Sequence, residues 1–429
     1  MNKKKALILA GGKGTRLRPI TDDMPKPLVP IANVPIITHV LRTLKKNGIS
    51  DAAITLGHSG DKIKEYLDSV GTEGVSVVYF DEETPLGTAG SAAHAMSFFD
   101  GDFAVVGGDT VFDFDITPAF EYHKNVGAVA TILLSHSDDP RRYGSAYTDS
   151  HGRITSFVEK PEWKHVRSDA ISTGIYILSP EIFNFIPRGK FCDFAKDVFP
   201  NIIGGALFAY TADGYFCDVG TPGSYLAANL DAAAGRIKGD FERTCVSPKA
   251  KVSPSAEVIR SVVMDGAVID SGATVKDSVV CRGAMLMKNS TSHRAVIDSG
   301  TVVKDYTVAT TNADICEYLA SVDAKAAAAE RMRVASSEQA EQIAPDTELI
   351  KYTVTGSTVA PRGAAKTLGE LVKHGAQKHD YGVKLVFDDG NAVISCVDRN
   401  TVEITGEART RERAEELYVF AKNGIKNLF

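Results

Sequence analysis

Residues 6–31 read ALILAGGKGTRLRPITDDMPKPLVPI. The aliphatic run Ala6 to Ala10 has the length and composition of a buried strand, and it ends directly in Gly11-Gly12-Lys13-Gly14-Thr15-Arg16-Leu17. Glycines after a strand let the backbone approach a phosphate chain closely, with N–H groups free to donate to phosphate oxygens. Arg16 and Lys26, the latter inside Pro25-Lys26-Pro27, supply countercharge. No GK[ST] closes the loop and the spacing is not GxGxxG, so neither a P-loop nor a dinucleotide fingerprint is present.

Beyond this stretch, short apolar runs alternate with helix-length segments: Ile36 to Lys46, then AAITL, Asp61 to Val70, VSVVYF, Ala89 to Phe99 and FAVVGGD. That order predicts an α/β domain over residues 1–238, Rossmann-like, with a mainly parallel sheet and ligands at the strands' carboxyl ends. Over 244–310 the character changes. Small or branched apolar residues recur at steps near six, at Val246, Val252 and Val258, in DGAVIDSGATV and in AVIDSGTVV, which predicts a short left-handed parallel β-helix. The repeats blur around Met285 to His293. Residues 311–345 hold AKAAAAERMR without Gly or Pro from Ala313 to Glu341, the composition of a helical linker. The strand-like KYTV, GVKLVF, AVISCV and TVEITGEA, with helix-like LGELVKHG and ERAEELYVFAKNGI, predict a small α+β domain over 346–429.

The chain has 429 residues, and the usual ~100–200 residues per domain makes several domains the natural reading. Hydrophobic residues make up 44% and charged residues 24%, enough to bury globular cores. The 54 acidic and 48 basic residues leave a net charge of −6 without a long basic block, which argues against nucleic acid as a partner. The apolar stretch near the start is too short for a signal or a membrane span, so a cytoplasmic protein with no membrane partner is expected. Six scattered cysteines without a CxxC pair fit reduced thiols.

The run GGKGTRLRPIT with PKPLVPI closely resembles the signature of the sugar-1-phosphate nucleotidylyltransferases. LGTAG at Leu86 to Gly90, GGD at Gly107 to Asp109, RYG at Arg142 to Gly144, EKP at Glu159 to Pro161 and DVGTP at Asp218 to Pro222 follow in the family's order. The resemblance implies an enzyme that joins a nucleoside triphosphate to a sugar 1-phosphate and releases pyrophosphate. It assigns Mg²⁺ to Asp109 and Asp218, the pyrophosphate leaving group to Arg16 and the α-phosphate to Lys26. Gly11, Gly12, Gly14, Thr15, Glu82, Gly87 and Thr88 fall to the nucleotide. Lys160 falls to the sugar phosphate, and Glu159 with the Gly144 and Gly174 backbones to the sugar hydroxyls. Such a site needs a cation clamp more than a base, because a phosphate monoester is already a nucleophile. Glu82 occupies the base-reading position, and a carboxylate only accepts hydrogen bonds, which favours guanine over uracil or thymine. The chain departs from the family at Ser172, where an asparagine is usual, and at Phe216, where a tryptophan is common.

Hexapeptide repeats are common in the family's longer members, where they usually serve assembly or regulation, so a homo-oligomer is expected. They also resemble acyltransferase β-helices, but His293 is their only histidine. Thr291-Ser292-His293 is only a faint echo of a mutase phosphoserine loop, without its Asn-Pro. Arg362-Gly363, Leu368, Gly382 to Leu385, Asp389-Gly390 and Gly406 to Ala408 resemble the C-terminal domain of phosphohexomutases. The phosphate loop of that domain is replaced by Cys396-Val397-Asp398-Arg399-Asn400, which leaves a remnant without mutase chemistry. Mutase halves of this type accompany the mannose-1-phosphate guanylyltransferase type, so GTP and mannose 1-phosphate lead. A thymidylyl-, uridylyl- or cytidylyltransferase for another sugar phosphate, and a catalytically silent nucleotide-sugar-binding regulatory subunit, are the alternatives.

Overall fold

The computed structural model describes residues 3–137, 139–238 and 245–310, the strand segments 352–359, 377–379, 382–387, 390–396 and 401–408, and Leu417 and Ala421. The chain divides into two compact units. The first comprises Met1–Leu133 with Gly174–Leu319, and the second Leu134–Thr173 with Ala320–Phe429.

In the first unit, β1 (Lys5–Ala10) lies at the centre of a parallel sheet. The hairpin strands β2 (Pro30–Ile31) and β3 (Val34–Pro35) come next in the chain and lead into α1 (Ile36–Lys46). They are followed by β4 (Asp51–Leu56), α2 (Gly60–Val70), β5 (Ser76–Asp81), α3 (Gly87–His94) and β6 (Phe103–Gly107). Strand β1 pairs in parallel with β4 and β6, and β4 with β5. Ala6, Leu7 and Ile8 are fully buried, as a strand covered on both faces requires. Helix α1 turns Ile36, Ile37, Val40, Leu41 and Leu44 inward at helical spacing, and Lys45 and Lys46 sit favourably at its negative end. The third helix is shorter than its sequence pattern, ending at His94 before a 3₁₀ turn at Met96–Phe98.

Four parallel strands thus deliver their carboxyl ends, at Ala10, Leu56, Asp81 and Gly107, to one edge. There β7 (Thr110–Phe112) pairs with the later β13 (Phe216–Asp218) as a two-stranded ribbon. Between them in sequence come α4 (Thr117–Asn125), β8 (Ala130–His136), β9 (Gly144–Thr148), β10 (Ile154–Glu159), β11 (Ala170–Leu178) and β12 (Leu207–Thr211). The second half of β11 runs antiparallel to β6. Helix α5 (Pro222–Ala233) follows the ribbon, capped by Thr221.

The same unit holds a parallel β-helix of eleven short strands, β14 (Lys251–Val252) to β24 (Val308–Thr310), arranged as three ladders. Paired residues of successive coils lie 17 positions apart, and Ser278 N–H donates to Ser261 Oγ and Ala295 N–H to Ser278 Oγ. Lys251, Glu257, Val262 and Val268 open successive sides, so the side from Glu257 to Val262 is one residue shorter than its neighbours. The shortening falls at a corner where Arg260, Asp277 and Arg294 stack in left-handed conformation, with φ of 43°, 48° and 51°. Asp277 accepts both Arg260 Nε and Arg260 Nη2, at 2.6 and 2.7 Å. The serines that follow return their hydroxyls to the corner, Ser261 Oγ to Ile259 O and Ser278 Oγ to Lys276 O, both at 2.7 Å. Strained non-glycine corners persist where such bonds over-determine them. Val263, Ile269, Val275, Val280, Leu286 and Ile297 fill the interior. On one outer face Val262, Met264, Val279 and Cys281 are buried in the core shared with the α/β sheet.

In the second unit β9 and β10 form an antiparallel pair, joined by the start of β11 at Ile171–Ser145. Its other described part is a five-stranded antiparallel sheet in the order β25 (Tyr352–Val359), β29 (Thr401–Ala408), β28 (Gly390–Cys396), β27 (Gly382–Phe387), β26 (Gln377–His379). The strand-like runs of the tail are therefore strands. The expected linker at 311–345, the first tail helix, the second apart from the helical Leu417 and Ala421, and the Arg362-Gly363 and 397–400 segments lie outside the described residues. No helix among the described residues is long and apolar enough to cross a membrane.

Candidate active site

Gly14 takes φ 65° at the head of the turn Thr15–Leu17, and its carbonyl accepts both Leu17 N–H at 3.0 Å and the Thr21 hydroxyl at 2.8 Å. Only a residue that tolerates the left-handed region closes the loop this tightly. At the neighbouring strand ends, a Cβ on Gly57 would stand 2.7 Å from Gly11 O, and one on Gly108 3.1 Å from Leu9 O. Three strand ends are thus packed backbone against backbone.

The ribbon brings Asp218 level with Thr110, and Val219 N–H donates to Asp109 O at 3.2 Å. Lys26 is buried between the two carboxylates, its Nζ 2.5 Å from Asp109 Oδ2 and 3.7 Å from Asp218 Oδ1. Arg16 is exposed above them, its Nη2 3.6 Å from where a Cβ on Gly220 would lie. Arg16, Lys26, Asp109 and Asp218, four of the seven charged residues singled out from the sequence, therefore converge. Burial alone would lower the pKa of Lys26, but Asp109 and then Asp218 outweigh it, so the ammonium is held more firmly than usual. Asp218 is shifted upward, first by burial and then by Asp109, against the pull of Lys26 and Arg16. Lys26 and Arg16 thus offset the effect of burial and of Asp109 on Asp218 only in part. Among the described residues no group of three or more His, Cys, Asp or Glu gathers. Two carboxylates gathered around one lysine suit Mg²⁺, which commonly takes one or two carboxylates and completes its shell with phosphate oxygens and water.

Glu82 follows β5, its N–H bonded to Leu56 O at 2.7 Å. Its carboxylate lies under the first glycine loop, Oε2 3.5 Å from a Cβ built on Gly11 and 3.4 Å from Leu86 N–H. Oε1 is buried without a hydrogen-bond partner. An orphaned carboxylate oxygen is costly and is ordinarily satisfied by a ligand or water.

LGTAG meets a strap that the sequence did not signal. Cys192 O accepts Ala89 and Gly90 N–H at 3.0 Å each, Cys192 N–H donates to Leu86 O at 2.8 Å, and Phe194 N–H donates to Thr88 Oγ1 at 2.9 Å. A Cβ on Gly87, which has φ 74°, would lie 2.5 Å from Cys192 O, and one on Gly90 2.8 Å from Lys190 O. The strap is reason enough for both glycines. It left no trace in the sequence because, apart from the bond to the Thr88 hydroxyl, it recognises backbone, and it lies about a hundred residues downstream.

In the second unit Glu159 pairs in register with Gly144, and a Cβ on Gly144 would strike the Phe157 ring. Lys160 is left-handed, φ 50°, with its N–H on Tyr143 O at 3.0 Å and its Nζ 3.9 Å from Glu159 Oε1. These three residues are brought together. Ser172, in place of the family's asparagine, is buried, and Gly174 has φ 72° in β11 where the first unit resumes.

The family model described as nucleotidyl transferase matches residues 5–235, and that described as GlmU-like, C-terminal hexapeptide, matches residues 227–317. The UTP–glucose-1-phosphate uridylyltransferase of Synechocystis sp. is 34% identical over 250 residues, 54% of this chain and 64% of that protein. The mannose-1-phosphate guanylyltransferase of Mycobacterium tuberculosis is 30% identical over 263 residues, 59% of this chain and 73% of its own. A probable mannose-1-phosphate guanylyltransferase 3 of Oryza sativa subsp. japonica is 37% identical over 229 residues, 52% and 63% respectively. The chain thus spans less than two thirds of the length of the first and third of these relatives.

Proposed function

We propose a specific reaction for this chain, which belongs to the nucleotidyl transferase family: GTP and mannose 1-phosphate give GDP-mannose and pyrophosphate. The observation that supports guanine is the buried, unpartnered Oε1 of Glu82 at the edge of the glycine loop. Guanine offers two adjacent donors, N1–H and the exocyclic amine, to a group that only accepts, whereas uracil and thymine offer one donor flanked by acceptors. Mannose rests on two relatives named for it.

The sugar phosphate oxygen attacks the α-phosphorus, forming one P–O bond as the bond to the pyrophosphate oxygen breaks. Two anions must meet, so positioning and charge neutralisation supply the rate. Lys26 holds the α-phosphate and, through its contact with Asp109, fixes that carboxylate's direction. Arg16 meets the leaving pyrophosphate. Asp109 and Asp218 would hold Mg²⁺, which when bound spreads the charge on the phosphate oxygens. By resemblance Lys160 meets the sugar phosphate, and Glu159, Gly144 and Gly174 the sugar hydroxyls; Gly11, Gly12, Gly14 and Thr15 line the triphosphate.

A uridylyl reading is favoured by the Synechocystis relative. Pyrophosphate release from each nucleoside triphosphate, with mannose 1-phosphate and with glucose 1-phosphate, separates the two. GTP with mannose 1-phosphate is the expected pair, dependent on Mg²⁺, and a preference for UTP or dTTP would sink the guanine assignment. Glu82→Gln, which puts a donor where only acceptors stood, is expected to cut kcat/KM for GTP relative to UTP by about 10- to 100-fold.

A further inference from the structure

The two loops that hold the charged clamp are both fastened to one face of the β-helix. Lys26 leads into the hairpin β2–β3, whose turn is made by Ala32 and Asn33 with φ of 48° and 68°. The Ala32 N–H donates at 3.0 Å to Oδ1 of Asn229, a fully buried residue of α5 whose Nδ2 donates to Tyr225 O at 2.9 Å. Asn33 Nδ2 donates at 3.1 Å to Val263 O, on the β-helix strand β16 (Val262–Val263). Asp218 reaches the same junction from the other side. Gly220 N–H donates to Ser224 Oγ at 3.0 Å in the first turn of α5, and one residue later the buried Tyr225 directs its hydroxyl at Met264 Sδ, 3.9 Å away on the β-helix.

The chemistry of the junction exceeds what packing needs. The left-handed turn at position 33 would be met by glycine; what asparagine adds is a bond to the β-helix. A fully buried asparagine in α5 is likewise costlier than an apolar residue unless its hydrogen bonds fix one arrangement. We propose that Asn33 and Asn229 are positioning residues that use the β-helix face as a common seat for the Lys26 loop and the Asp218 loop, and so set the spacing of the clamp. This rests on the reading of Lys26 and Asp218 as the phosphate and metal clamp.

The test uses the full chain with Asn33→Gly, which keeps the left-handed backbone and removes the bond to Val263. It is expected to lower kcat about tenfold and leave KM for the nucleotide within about twofold, with an unchanged melting temperature, because the effect of one hydrogen bond falls on geometry. Amide deuterium exchange over residues 26–36 is expected to rise. Asn229→Ala should give the same split between kcat and KM with a larger loss. Unchanged kcat with unchanged exchange overturns the proposal, and so does a loss of kcat matched by a raised KM and a lowered melting temperature. If the wild-type chain turns over none of the nucleotide and sugar-phosphate pairs, the clamp reading fails by itself. The exchange measurement then decides the coupling, and unchanged exchange overturns it.

Discussion

The edge of the α/β sheet and the β-helix handle polar groups in opposite ways. At the sheet edge each residue is singular: Lys26 has no second copy, Asp218 is left short of compensation and Glu82 keeps a bare oxygen. In the β-helix polar side chains stand in columns whose members bond one another, Arg260 to Asp277 and Ser261 to Ser278, although the Ser292 hydroxyl is buried without a partner. At the sheet edge the bare oxygen of Glu82 lies beside the glycine loop where a ligand would be met, whereas the bonded columns of the β-helix make the chain its own partner. Substitutions should therefore separate chemistry from stability according to region.

The largest effect is expected from Asp109→Asn, which preserves volume and an acceptor for Lys26 but removes the charge. Turnover should fall on the order of 10³-fold while the melting midpoint stays near the wild-type value. Equal losses of stability and turnover would erase the contrast. In the β-helix Leu286→Ala should do the reverse. Leu286 is fully buried in the helix interior, so about 2–5 kcal/mol of stability should be lost in urea titration with turnover per folded molecule unchanged.

Acid offers a subtler separation. His39 in α1 is buried with Nε2 on Ile31 O at 3.1 Å, and burial pushes its pKa from 6.5 down to about 4. A folded-state pKa below the unfolded one means that the contribution is complete above about pH 6.5 and is lost as pH falls towards 4. The α/β body should lose up to about 3 kcal/mol across that window, a slope that His39→Gln removes from the urea midpoint plotted against pH. The β-helix corner responds lower. Burial works to raise the pKa of Asp277, but the bonds from Arg260, with Arg294 and His293 adding, hold the carboxyl below the usual carboxylate range. Its contribution is present at neutral pH and lost only as pH falls through that depressed value. Arg260→Ala, at an exposed site, is the smallest expected effect, about 1 kcal/mol or less at pH 7, vanishing in strong acid.

The glycine loop with Arg16 and Lys26 was legible from local chemistry, because close backbone approach requires glycine and an anion calls for positive charge, whereas Asp109 and Asp218 were expected only from the family resemblance. Three features were not legible. That Lys26 holds Asp109 follows from a ribbon pairing β7 with β13, elements over a hundred residues apart that no local pattern joins. The strap at Lys190–Cys192 bonds through backbone carbonyls and amides, which every residue possesses. The β-helix was visible as a period, but its short side was not. The left-handed corners that a reader seeks as glycine are filled there by Arg260, Asp277 and Arg294, and elsewhere by Asn289, where the repeat blurred.

The stacking distance of 17 residues also fixes how the β-helix can change in length. A gain or loss of one residue would transpose every later side chain between inside and outside or between corner and side. A whole coil, by contrast, is an exchangeable syllable. Excising residues 260–276 would join Ile259 to Asp277 and move Val280 into the station of Val263, with a backbone carbonyl still facing Asn33. Deletions and duplications in this part of the chain are thus admissible only in whole-coil steps, and a spliced coil keeps the grammar of its neighbours.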